Sequence, residues 1–286
     1  MVKAIDIHMH PPLPSGYSTI GGRFMNLIAG MERRPGATPE AMYEKYEALD
    51  FFGVLCGIDD ETLSGVPFTA NDEIAGLVKR WPHRFGGFGS VDPHKGALAI
   101  KEINRCVDEF GFKGLKFHPS VQSFAMNDPK YDAMWKRCEE LELVLLVHAG
   151  VTAVGKGFPG GGGIAHGYSR PIPYMDDVAA RFPGLRIIMA HPARPWIDEQ
   201  LELIVHKPNM FMDISGWMPQ YFDPMVIQYA NTIARGKVLF GSDYPMDVDR
   251  WLREFAELPV KADVRAEIMF HSSNAMLKLG LTYTGD

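Results

Sequence analysis

Short apolar runs rich in β-branched residues recur along this chain, each followed by a longer amphipathic stretch, and this alternation constrains the fold more than any other property. Consecutive parallel strands need a crossover long enough to carry a helix, so the pattern points to repeated strand–helix units around a parallel sheet. Eight runs read as strands: residues 2–8, 52–58, 85–91, 114–118, 143–148, 186–191, 210–214 and 237–241. Helical spacing falls between them, at 71–80, 96–110, 129–141, 174–182 and 197–206, and a helical ending covers 263–279. Eight such units in 286 residues fit a (β/α)8 TIM barrel, which typically takes about 250 residues. A doubly wound open sheet competes, because periodicity does not show closure, but the count of eight favours the barrel.

Nothing rich in Pro, Ser or charge divides the chain, so 1–286 reads as a single domain. Two irregular segments interrupt the pattern, 11–35 after the first strand and 152–173 after the fifth, the latter containing Gly160-Gly161-Gly162-Gly163. In a barrel both lie on the face where chemistry is found.

Composition excludes several classes of function. With 46% hydrophobic and 22% charged residues the chain is globular, and a formal charge of -6 offers no cationic field for nucleic acid. Asp6 interrupts the first apolar run where a signal peptide needs an unbroken core, and no stretch approaches the roughly 20 apolar residues of a membrane span. A cytoplasmic protein with no membrane partner is expected. The three cysteines, Cys56, Cys106 and Cys138, form no C-x-x-C pair, so reduced thiols are expected and a thiolate metal site is not.

The histidines carry the functional signal. The first strand ends Asp6-Ile7-His8-Met9-His10, and residues two apart on a strand share a face, so His8 and His10 can reach one point. The fifth apolar strand runs into His148, the sixth into His191, and the eighth into Asp243. Five metal-capable groups therefore meet on one rim. Imidazole nitrogen and carboxylate oxygen suit a borderline divalent ion, zinc first and manganese also, with a position left for water. Water on such an ion can lose its proton near pH 7 instead of about 15.7.

These residues resemble the amidohydrolase superfamily, in its amidohydrolase-related branch with aminocarboxymuconate-semialdehyde and gamma-resorcylate decarboxylases. The carrying motifs are Ile5-Asp6-Ile7-His8-Met9-His10, Gly114-Leu115-Lys116-Phe117-His118-Pro119, Val147-His148-Ala149-Gly150, Asp176-Asp177-Val178-Ala179 with Phe182-Pro183, Ala190-His191-Pro192 and Phe240-Gly241-Ser242-Asp243-Tyr244-Pro245. The resemblance implies that His8, His10, His148 and Asp243 bind one divalent metal ion and that His191 transfers protons beside it; Asp243 could also accept a proton. One departure stands out. Where decarboxylases of the branch often carry a Gly-Glu-Gly-Leu-type stretch, this chain has Pro192-Ala193-Arg194-Pro195.

Lys116, His118 and Arg194 are the candidates for binding a substrate carboxylate, with Arg23, Arg33, Arg34 and His166 as further loop candidates. Some amidohydrolases carboxylate a lysine at the position of Lys116 to bridge two metals. The expected activity is hydrolysis of a small, carboxylated ester, lactone or amide, with non-oxidative decarboxylation of an aromatic or muconate-like acid as runner-up. A non-catalytic metal- or ligand-binding barrel is the reading of a different class, and His191 argues against it. Barrels of the branch are often dimers, so a homo-oligomer is expected.

Overall fold

The structure is a computed structural model that describes residues 1–15, 20 and 38–285. Among the described residues eight strands follow one another in a single sheet: β1 (Ala4–Met9), β2 (Phe51–Leu55), β3 (Phe85–Gly89), β4 (Gly114–Phe117), β5 (Val144–His148), β6 (Arg186–Ala190), β7 (Met210–Asp213) and β8 (Val238–Leu239). Every neighbouring pair is parallel. The last strand returns to the first: Ile7 N–H donates to Phe240 O (3.1 Å), Asp243 N–H to His8 O (2.9 Å) and His10 N–H to Tyr244 O (3.0 Å). The sheet is thus a barrel, and its closing seam lies beside the residues of the predicted site.

All eight expected runs are strands, but several stop short of their sequence-based ends. The run read to Ile58 leaves the ladder after Leu55, and the run read to His191 leaves it after Ala190. At the carboxyl ends the backbone turns to aim side chains into the barrel mouth, so the apolar pattern outlasts the pairing.

A helix follows each strand: α1 (Pro39–Leu49), α2 (Ala70–Arg80), α3 (Ala97–Asp108), α4 (Asp132–Glu140), α5 (Asp176–Arg181), α6 (Ile197–His206), α7 (Pro224–Ala230) and α8 (Val248–Ala256). The expected start of α4 is a separate 3-10 turn, Pro129–Tyr131, capped by the Asp128 side chain. The chain ends through Ala262–Ala266, a π turn Glu267–His271, and Ser272–Leu277.

Alternation along the strands separates two apolar layers. Leu145, Val147, Ile187 and Met189 join Trp135, Val178 and Leu201 from the helices. Ile5, Ile7, Val54, Phe88, Val144, Leu146, Ile188 and Leu239 form the other cluster, with Phe270, Met276 and Leu277 from the terminal helices. In β5 the second set reads Val144, Leu146, then His148, so imidazole replaces the aliphatic side chain where the strand ends. Among the described residues no helix is long and apolar enough to cross a membrane.

Candidate metal centre

The floor of the site begins at Asp6. Its Oδ1 accepts the N–H groups of Ser242 (2.9 Å) and His8 (3.1 Å), and its Oδ2 accepts the Tyr46 hydroxyl of α1 (2.5 Å). Burial pushes this carboxyl up to about 6, against the hydrogen bonds that pull it down. Asp6 therefore ties β1 to the segment after β8, and with it His8 to Asp243. The β1–β2 register shifts between Asp6 and Met9. Asp6 can thus face α1 while Ile7 joins the interior cluster and His8 reaches the site.

His8 and His10 turn their Nε2 atoms toward each other at 3.3 Å, and Asp243 Oδ1 lies 3.6 and 3.5 Å from them. The opposite ring nitrogens are occupied. His10 Nδ1 stands 3.2 Å from the Cys56 carbonyl, which can only accept, and His8 Nδ1 stands 3.1 Å from Asp213 Oδ2 and 2.9 Å from Ser215 Oγ. Both Nδ1 atoms therefore donate, leaving two Nε2 lone pairs and a carboxylate facing one point. Such an arrangement is repulsive unless a cation or proton lies against it; the Lys116 ammonium does so at 2.8 Å from His8 Nε2, and the two imidazoles and carboxylate are also the donor set a divalent ion takes. Burial holds His10 below the usual histidine range, with the Asp243 carboxylate opposing.

His148, 5% exposed, ends β5, and its buried Nε2 has no hydrogen-bond partner among the described residues. An unsatisfied buried ring nitrogen at the carboxyl end of a barrel strand fits a ligand waiting for a metal. Its ring meets His191 edge-on at 4.9 Å and lies parallel to His118 at 3.8 Å. Burial keeps both His118 and His148 well below the ordinary histidine range, helped by the Lys116 ammonium at His118 and by His118 at His148. The tight groupings of potential ligands among the described residues are His8–His10–Cys56 and His8–His191–Asp213, each within 4.8 Å.

His191 leaves β6 with φ 70, and Asp243 leaves β8 with φ 57, two non-glycine residues in the left-handed region at the site. Burial lowers His191 to about 4, with Asp243 opposing. Its Nδ1 lies 2.8 Å from Ser215 Oγ, its ring stacks on His8 at 4.9 Å, and its backbone N–H donates to Asp213 Oδ1 (2.9 Å).

Sequence reasoning missed Asp6, Cys56, Asp213 and Ser215 as site residues. For two of them the signal was present: the seventh run, 210–214, closes on Met212-Asp213-Ile214 and is followed by Ser215, polar residues replacing apolar ones where β7 ends.

The substrate candidates separate. Lys116, 1% exposed, places Nζ 2.8 Å from His8 Nε2, and burial lowers its ammonium's affinity for its proton. Lys116 and His118 both reach the site because they are two apart and β4 ends between them, at Phe117. Arg194 is half-buried; its guanidinium donates to the Tyr221 carbonyl and lies 5.0 Å over the Trp217 ring. His166 is half-buried in the turn His166–Ser169. Arg23, Arg33 and Arg34 lie outside the described residues. The three cysteines are unpaired and buried.

The chain belongs to the amidohydrolase family, whose sequence model matches residues 5–278. It is 32% identical over 78 residues to 2-amino-3-carboxymuconate-6-semialdehyde decarboxylase of Dictyostelium discoideum, covering 27% of this chain and 22% of that protein. It is 23% identical over 218 residues to gamma-resorcylate decarboxylase of Rhodococcus jostii, covering 62% of this chain and 65% of that one. The matches thus span less than two thirds of both relatives. Among solved structures, a dihydroxybenzoic acid decarboxylase from Polaromonas sp., with bound manganese and the inhibitor 2-nitroresorcinol, superposes with TM-score 0.70 at 18% identity over 99% of this chain and 98% of that one. That likeness is one of fold.

Proposed function

We propose that this chain is a metal-dependent non-oxidative decarboxylase of a small aromatic or muconate-like carboxylic acid. The observation that carries the reading is the convergence of His8 Nε2, His10 Nε2 and Asp243 Oδ1, with both Nδ1 atoms held by acceptors and His191 stacked alongside. The named activities of the two relatives, both decarboxylases, support the choice of reaction. His8, His10, His148 and Asp243 would hold the ion; zinc and manganese both suit two or three imidazoles and a carboxylate. A divalent ion there supplies a Lewis acid that orients the substrate's oxygens and draws electron density from them.

The chain's own groups supply the rest. Lys116 and His118 bind the substrate carboxylate from β4, and the apolar layer of Val144, Leu146 and Ile188 below them disfavours a buried anion relative to neutral carbon dioxide. Burial lowers His191 to about 4; the negative charge of a bound substrate raises its affinity for a proton, as Asp243 already does, and His191 Nε2 then delivers that proton to the carbon losing its carboxylate. The carbon–carbon bond breaks, its electron pair takes the proton, carbon dioxide leaves, and the imidazole is neutral again.

Hydrolysis of an ester, lactone or amide is the second reading, favoured by Asp243, which could take a proton from an attacking water, and by the departure at Pro192-Ala193-Arg194-Pro195. We further infer that 1–286 acts as one domain, in the cytoplasm and as a dimer, on a small molecule; the charge of -6 argues against nucleic acid and anionic membranes. The deciding experiment gives metal-reconstituted protein a panel of hydroxylated benzoic acids and of carboxylated lactones. Release of carbon dioxide from the acids is expected. Ring opening of lactones without it would replace the first reading by the second.

A further inference from the structure

We propose that Ser215, itself held by Asp213, is the positioning residue that fixes the tautomer of His191 and thereby aims Nε2 at the substrate. The role of His191 in proton transfer rests on the proposed function; the tautomer does not.

Asp213 Oδ1 receives the backbone N–H groups of His191 and Ser215, both at 2.9 Å, and its Oδ2 faces His8 Nδ1 at 3.1 Å. Asp213 is surrounded by donors and acts as an acceptor. Ser215 Oγ lies 2.5 Å from Asp213 Oδ1, so its single hydroxyl proton goes there. Having spent that proton, Oγ can only accept from the ring nitrogen 2.8 Å away, His191 Nδ1. Nδ1 must then carry a hydrogen, and the lone pair or exchangeable proton of His191 sits on Nε2.

The ring cannot easily turn out of this arrangement. The His8 ring covers one side, with 28° between planes. Gly216, at φ 71, comes so close that a Cβ there would stand 2.3 Å from His191 Nδ1. The same Oγ lies 2.9 Å from His8 Nδ1, so one hydroxyl orients both a proposed metal ligand and the proposed proton carrier.

The test is long-range 1H–15N correlation NMR on 15N-histidine-labelled full-length protein, metal-free and metal-loaded, with His191 assigned by comparison with His191→Gln. Wild type is expected to show His191 as a single Nδ1–H tautomer in both forms. Ser215→Ala should give a mixture or the Nε2–H form and, at saturating metal, lower kcat by about 10–100-fold with KM nearly unchanged, His8 Nδ1 keeping Asp213 Oδ2 as its partner. Ser215→Thr, which keeps the hydroxyl, should restore the tautomer and most of kcat. An Nε2–H tautomer in wild type, or an unchanged tautomer in folded Ser215→Ala, would overturn the proposal. The wild-type spectrum decides even if Ser215→Ala does not fold. Because the tautomer is read without turnover, its failure is separable from failure of the decarboxylase reading.

Discussion

His118 lies flat on His148, with ring centroids 3.8 Å apart and 10° between their planes. Two imidazoles so close cannot both be cations, and burial already holds both neutral at physiological pH. The stack therefore presents a neutral His148 whose Nε2 is free to bind, and His118 acts as the wall that keeps that ring from rotating. His118→Ala should weaken metal affinity by about 10–100-fold, the usual effect of losing a partner that orients a ligand. His118→Phe, which keeps a flat surface, should lose much less affinity. Competition titration against a metallochromic chelator measures both, and equal losses would show that stacking is not what matters.

Metal removal tests the ligand set. An ion that binds only the folded chain stabilises it by about 2.7 kcal/mol at a hundredfold excess over Kd, so stripping with a chelator should lower Tm by roughly 5 °C for a chain of this size. Zinc or manganese should restore it. In His148→Ala the metal-dependent shift should shrink sharply; a shift as large as in wild type would remove His148 from the set.

The barrel was legible because its signal is redundant: eight strand runs each predict a crossover, and a misplaced boundary at one leaves the others intact. Helices α1, α7 and α8 were not named in advance, although their caps were in the sequence. Thr38 before Pro39, Asp223 before Pro224 and Asp247 before Val248 each accept a backbone N–H at the start of the helix. In the site, residues that end an apolar run were visible and those that support them were not. Asp6 reads as the polar half of an ordinary alternation, and only the seam between β1 and β8 makes it a clamp. Ser215 is unremarkable until Asp213 and His191 are placed around it, a relationship across two strands that no local pattern carries.

His191 and Asp243 should separate when each is replaced. His191→Ala is expected to retain metal and lose turnover by about 10²–10⁴-fold, the range a positioned acid or base contributes. Asp243→Ala should lose both turnover and metal, because its carboxylate faces the two Nε2 atoms at 3.5 and 3.6 Å. Elemental analysis beside kinetics distinguishes them, and metal loss in the His191 variant would reverse the assigned roles.

The seam gives a prediction about stability. Asp6→Ala leaves the N–H groups of Ser242 and His8 and the Tyr46 hydroxyl without their buried acceptor. Unsatisfied buried donors cost about 1–3 kcal/mol each. Removing the carboxyl's own burial offsets part of this, so a net loss of about 3 kcal/mol, or roughly 5–6 °C in Tm, is expected. Tyr46→Phe loses one of the three bonds and should cost about 1 kcal/mol. Thermal melts of the metal-free proteins read both, and equal costs would show that Asp6 does not act by holding β1 to the segment after β8.

The last question is which cation reads the substrate's carboxylate. Lys116 Nζ is buried beside His8 Nε2, whereas the Arg194 guanidinium is already committed to the Tyr221 carbonyl and the Trp217 ring. A hydrogen bond to a charged group contributes about 1.5–3 kcal/mol, so Lys116→Met should raise KM for a carboxylated substrate roughly 10–100-fold. Its effect on an amide analogue of the same ring should be far smaller, because the lost interaction is with charge. Arg194→Met should show the same preference for the anion at a few-fold level, since its donors must first leave Tyr221. If Arg194→Met carries the large effect and Lys116→Met affects both analogues equally, the carboxylate enters from the β6 side, and Lys116 serves to hold His8.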